Sequence, residues 1–228
     1  MIRRIVVLFL GLWLSALSAL AQGTYHARFE NDLVSVYELD LAAHASAASL
    51  QAARDTFWVG LTKGSISFGR EQGVNPVQFD TGDVRFFPSF ETKLLTNTGA
   101  AEFRGVLVSI KQRGLLSSGC ECTGNTGRSV CGCKGATHLE PLWALGLGNI
   151  TLAGSSLSPG EAFRAAAARD DMLLVAVTDL ELQDEAAAPE SPAALVRLSA
   201  GECAWINGGK HQFKNLGSSS ARFVTFEF

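Results

Sequence analysis

Two distant stretches of this chain end in the same step pattern, and that duplication limits the fold more than any other feature. Counting from Asn97, Gly99 lies at +2, Arg104 at +7, and Val106, Val108 and Ile110 at +9, +11 and +13. Counting from Asn215, Gly217, Arg222, Val224, Phe226 and Phe228 fall at the same offsets. Asn and Gly tolerate positive φ and make a turn, and apolar residues at every second position turn one face of a strand inward. Upstream, each half repeats one order of elements. A mostly apolar strand comes first, Leu33–Leu41 or Asn149–Leu152. A small-residue stretch follows, Ala42–Ala53 or Ser155–Ala168. Two further strands come next, Phe57–Thr62 and Ser65–Phe68 in one half, Leu173–Thr178 and Leu180–Gln183 in the other. Many short strands, Gly and Asp turns and little helical periodicity predict an all-β chain. Only Ala162–Ala168 has the alanine content of a short helical turn, and a loop fits it equally well.

The N-terminus reads as an export signal. Arg3-Arg4 is a positive leader, Ile5–Leu17 an apolar run and Ala19-Leu20-Ala21 a small-residue cleavage site, so residues 1–21 are expected to be removed. Without Arg3 and Arg4, 17 basic residues remain against 22 acidic ones, a net charge of −5. Lys and Arg are scattered and form no basic run, which excludes nucleic acid as a partner. No second apolar stretch is long enough to cross a membrane. The mature chain is therefore expected in the periplasm or outside the cell. At 47% hydrophobic residues it can bury a core.

Gly82, Pro88 and Asn97 stand in the spacing Gly, five residues, Pro, and on to Asn. This resembles the second motif of the cupin superfamily: Gly, five residues, Pro, one residue, Gly, two residues, His, three residues, Asn. Here Phe90 replaces the second Gly and Lys93 the metal-binding His. The second half runs from Gly201 to His211 and Asn215, one residue shorter between Gly and His, and keeps the His-x3-Asn step. The resemblance implies two tandem cupin-type double-stranded β-helix (jelly-roll) barrels, a bicupin, spanning residues 25–113 and 138–228 around a Cys-rich insert at 114–137.

Cupins hold a metal with His-x-His-x3-Glu in a first motif and the His of the second, a set suited to Fe, Mn, Ni or Zn. In the first half those first-motif positions fall near Gln51, Ala53 and Phe57; in the second, near Ala167, Arg169 and Leu173. No complete ligand set survives, and the resemblance then implies degenerate, metal-free sites. Candidate residues lining the interiors are Gln51, Phe57 and Lys93 in the first barrel, and Arg169 and His211 in the second. Lys93 and Arg169 would favour an anionic ligand. His26, His44 and His138 stand in contexts ordinary for surface histidines, and no nucleophile or phosphate-loop motif occurs.

The insert carries Cys120, Cys122, Cys131 and Cys133. Cys-x-Cys places both sulfurs on one strand face. A hairpin about Gly124–Gly127 would pair Cys120 with Cys133 and Cys122 with Cys131, one of three possible connectivities and compatible with an oxidising compartment. A zinc site formed by the same four thiolates is the rival arrangement, and free thiols a third. Cys203 is left over and reads as a small buried residue. The function expected is that of an exported, non-catalytic small-molecule-binding or structural module. The alternative is a cupin-type isomerase or epimerase acting on a small anionic or sugar-like substrate without metal, or with an unrecognised metal site. A protein partner at the Cys insert and a homodimer are the macromolecular associations left open.

Overall fold

The computed structural model describes residues 23–50, 54–69, 76–87, 94–111, 142–147, 150–164, 171–185 and 194–228. The first half contributes β1 (Thr24–Glu30), β2 (Val34–Leu41), β3 (Ser46–Ala48), β4 (Thr56–Gly60), β5 (Gly64–Phe68), β6 (Val77–Phe79), β7 (Val84–Phe87), β8 (Leu94–Asn97) and β9 (Phe103–Ile110). The second half contributes β10 (Leu142–Leu147), β11 (Ile150–Leu157), β12 (Ala162–Arg164), β13 (Met172–Ala176), β14 (Leu180–Asp184), β15 (Ala194–Leu198), β16 (Cys203–Ile206), β17 (Gln212–Asn215) and β18 (Ala221–Glu227). All pairings are antiparallel, and the described residues contain no helix. No segment among them is a helix long and apolar enough to cross a membrane.

Each half folds a five-stranded sheet onto a four-stranded one. The orders are β1-β2-β9-β4-β7 with β3-β8-β5-β6, and β10-β11-β18-β13-β16 with β12-β17-β14-β15. The duplication seen in the tails thus extends through the sheets. Two elements depart from the sequence reading. The small-residue run after Leu152 continues the strand to Leu157, and Ala162–Arg164 is a strand paired with Gln212–Lys214, not a helical turn. Tertiary pairing outweighs alanine's helix propensity there.

The five-stranded sheets pack on each other as well as on their own four-stranded partners. Val34, Val36, Phe57, Val59, Val106 and Val108 meet Ile150, Leu152, Leu173, Val175, Val224 and Phe226 in one apolar layer between the barrels. Two further apolar clusters lie inside the barrels, one in each. A sheet buried on both faces has strands apolar at every position, and all five residues of β4 and of β13 are buried. In each barrel short turns close one end. At the other end of the second barrel, the mouth, lie the ends of β12, β14 and β16 and the starts of β13 and β17, with residues 207–211 joining β16 to β17.

Candidate functional site

Pairing register makes the two interiors comparable position by position. Trp58 lies between Leu107 and Arg85, and Leu174 lies between Thr225 and Ala204. By the same rule Phe68 corresponds to Asp184, Leu39 to Ser155 and Ser109 to Glu227.

The first interior is filled by rings. Trp58 is 4% exposed and packs against Phe68, Phe79 and Phe87 at 5.5, 6.3 and 5.9 Å between ring centroids. Phe68 stacks on Phe87 at 4.4 Å, and Phe79 tilts against Phe103 at 5.3 Å. Leu39, Leu41, Ile66, Leu95 and Leu107 complete the cluster. Aromatic pairs at these separations form a solid core. Phe57 does not line this interior. It points the other way, into the layer between the barrels, 5.1 Å from Phe86 and 5.5 Å from Phe226. Gln51 and Lys93 lie outside the described residues, as do Pro88 and Phe90.

The second interior is apolar at its turn end, where Leu157, Leu180 and Ala221 cluster. Polar side chains enter higher up. Ser155 is 6% exposed and its Oγ has no hydrogen-bond partner. Thr225, Glu227 and Asp184 are also buried, on strand faces that point inward. Aromatic bulk enters too, as Phe163, Phe213 and Phe223. At four matched positions the second barrel carries Ser155, Asp184, Thr225 and Glu227 where the first has Leu39, Phe68, Leu107 and Ser109, while the first carries Arg85 where the second has Ala204.

His211 sits at the mouth, stacked on Phe213 with ring centroids 5.8 Å apart. Its Nδ1 is 2.6 Å from Asp184 Oδ2 and its Nε2 is 2.8 Å from the Asn207 carbonyl oxygen. Asp184 Oδ1 accepts the Gln212 amide at 3.1 Å. Both ring nitrogens thus lie within hydrogen-bond distance of oxygens of the protein itself. Among the described residues no three His, Cys, Asp or Glu side chains gather as a metal site. The second barrel's described donors do not fit the metal that cupin motifs imply. Arg169 lies outside the described residues, and so do the four insert cysteines with both their disulfide and zinc arrangements. Cys203 is free and half-buried against the inter-barrel layer, where burial pushes its thiol up to about 11.

The seam between the barrels carries charge that the sequence reading did not find. Glu38, 1% exposed, accepts hydrogen bonds from Arg28 and Arg104, and Arg104 Nε also reaches Asp40 at 3.2 Å. The second half has Gly154 and Ser156 at the matching places, so Arg222 instead donates across the seam to the Thr81 carbonyl at 2.8 Å. Gly82 and Gly201 adopt φ of 87° and 94°, and each meets one of these groups closely. A Cβ on Gly82 would stand 2.8 Å from Arg222 Nη2, and one on Gly201 would stand 2.8 Å from Glu38 Oε1.

Burial raises the Glu38 pKa, but the two arginines outweigh it and hold the carboxyl below its ordinary 4.5. A depressed folded-state value stabilises the protein above that ordinary value, and the stabilisation is lost as pH falls through the folded one. Glu38→Gln is expected to cost about 2 kcal/mol at neutral pH, less than a fully buried pair because both arginines are partly exposed. Denaturation midpoints should show the gap between variant and wild type closing below pH 4.5. A gap that is constant with pH would remove the ion pairs from the account.

The fold can now be placed among known structures. AerE from Microcystis aeruginosa superposes with a TM-score of 0.63 at 11% identity, covering 92% of this chain and 94% of that one. A cupin 2 conserved barrel domain protein from Leptotrichia buccalis gives 0.51 at 10%, covering 92% and 90%. The fold is that of a bicupin. Oxalate decarboxylase from Lactobacillus farciminis, in a formate complex, aligns at 0.58 with 11% identity over 89% and 83% of the two chains. No family model and no curated protein matches the sequence. Bicupin architecture thus persists here at identities too low to transmit any one activity.

Proposed function

We propose that this bicupin is an exported small-molecule-binding protein that works without a barrel metal, its second barrel forming the chamber and its first a filled scaffold. One observation carries the reading: the inward Ser155, Thr225, Asp184 and Glu227 stand where the first barrel has Leu39, Leu107, Phe68 and Ser109. Ser155 Oγ is buried without a partner, Thr225 Oγ1 reaches the Ala153 carbonyl only at 3.4 Å, and polar groups converging inside an apolar wall are how small-molecule sites select ligands. His211 supports the metal-free part, since Asp184 and Asn207 already occupy its ring nitrogens.

The test gives the second barrel the first barrel's residues. Ligand-observed NMR on the mature protein, with a panel of small carboxylic acids, sugars and amines, is expected to find a binder. The Ser155→Leu, Thr225→Leu double variant should fold and lose that binder by more than tenfold. Elemental analysis of the same preparation should give far less than one Fe, Mn or Zn per chain. Undiminished binding in the filled variant, or stoichiometric metal that His211→Ala removes, would overturn the reading.

A further inference from the structure

The loop from Asn207 to His211 joins β16 of the five-stranded sheet to β17 of the four-stranded one, and so bridges the mouth of the second barrel. Side chains hold it at two points. The Gly208 amide donates to Asp171 Oδ1 at 2.7 Å. His211 makes the second tie, reaching Asp184 with Nδ1 and the loop's own Asn207 carbonyl with Nε2.

The second tie depends on protonation. A carboxylate and a backbone carbonyl offer only lone pairs, so the ring satisfies both only with hydrogen on each nitrogen, as the imidazolium. A neutral ring carries one hydrogen. It must turn a lone pair toward one of the two oxygens, which deletes a bond and substitutes repulsion. We propose that the 207–211 loop is a proton-operated latch over the chamber, closed while His211 carries both hydrogens and released when it loses one. The consequence for ligand entry rests on the second barrel being the chamber; the latch itself does not.

The surroundings fit a charged ring. Asp184 faces it from β14 and is buried beside it. Phe213 stacks under it from β17, and Gly209 leaves the Nε2 side open, since a Cβ there would stand 3.4 Å from that atom. Among the described residues, the other acidic groups beside the ring are engaged elsewhere. Glu185 accepts from Gln212 Nε2 at 2.9 Å and pairs with Lys214 at 3.4 Å. Asp171, ahead of β13, holds Gly208, and Lys210 is exposed on the loop itself.

Hydrogen exchange of the ligand-free mature protein tests the latch between about pH 5.5 and about pH 8.5, the span over which imidazoles change charge. Corrected for intrinsic rates, protection across 207–211 should fall by about tenfold or more on the alkaline side, the effect of one charge-assisted bond. Peptides from β13 and β18 should not change. His211→Phe keeps the stacking and should be unlatched at every pH. Nitrogen-15 spectra of the wild-type ring give the proton count without any variant. A neutral ring under a fully protected loop, or protection unchanged across the titration, would overturn the latch. If the loop responds but no binder is found, the chamber reading fails and the latch stands.

Discussion

Trp58→Ala is expected to cost about 4 kcal/mol of stability, the loss typical of a large ring removed from a packed core. The ring is 4% exposed and meets three other aromatic side chains, Phe68, Phe79 and Phe87. Those neighbours are themselves packed together, so they cannot collapse into the space, and an unrelaxed cavity adds its own cost to the lost transfer energy. The matched change in the other barrel, Leu174→Ala, should cost about 2–3 kcal/mol, because a smaller side chain leaves between Thr225 and Ala204. Urea denaturation of both variants makes the comparison. If Trp58→Ala costs no more than Leu174→Ala, the first barrel is not the solid scaffold described, and its interior returns as a candidate chamber.

What the sequence discloses here follows from what the backbone requires. Gly82 and Gly201 hold positive φ, and Asn97 and Asn215 brace the same turn in each barrel, so these positions repeat although their neighbours have diverged. Strand facing is hidden where both faces are buried. Thr56–Gly60 is buried throughout, so no alternation fixes its parity, and shifting the assignment by one residue reverses every side chain. Counting the motif back from the turn after Thr62 sets Phe57 inside the first barrel, whereas it belongs to the seam. Ser155 was hidden in another way, within a run of small residues that reads as a loop but continues β11.

The partners of the candidate residues were harder still to foresee. His211 keeps its motif spacing, but Asp184 reaches it only because β14 and β17 pair with Asp184 opposite Phe213. A repeat alignment carried into β14 would have marked Asp184, since it stands where Phe68 does. Arg104 and Arg222 were visible as a repeated pair. Their different fates depend on Glu38 and Gly154, which come from strands far earlier in each half. Long-range charge pairing follows from register, and register is only weakly written in local sequence.

Asn97 gives the second large effect. The side chain is fully buried. Its Nδ2 donates to the carbonyls of Leu41, Ala42 and Ala101 at 3.1, 3.1 and 2.8 Å, and its Oδ1 accepts the Gly99 amide at 2.9 Å. One amide therefore ties the end of β2 to the turn before β9. Asn215 repeats this with Leu157, Ser219 and Gly217 at 3.0, 2.8 and 2.9 Å. Asn97→Ala should cost about 3 kcal/mol, since it leaves buried carbonyls and an amide without partners. Asn97→Asp separates this account from simple space filling. It keeps the shape but turns an acceptor toward carbonyl oxygens, so it should be at least as damaging as alanine at neutral pH and recover as pH falls and the carboxyl gains a hydrogen. The Asn215 variants should behave alike, and the two losses should nearly add because the sites lie in separate barrels with no shared partner. An aspartate milder than alanine at neutral pH would mean that volume, not donation to those carbonyls, is what the position supplies.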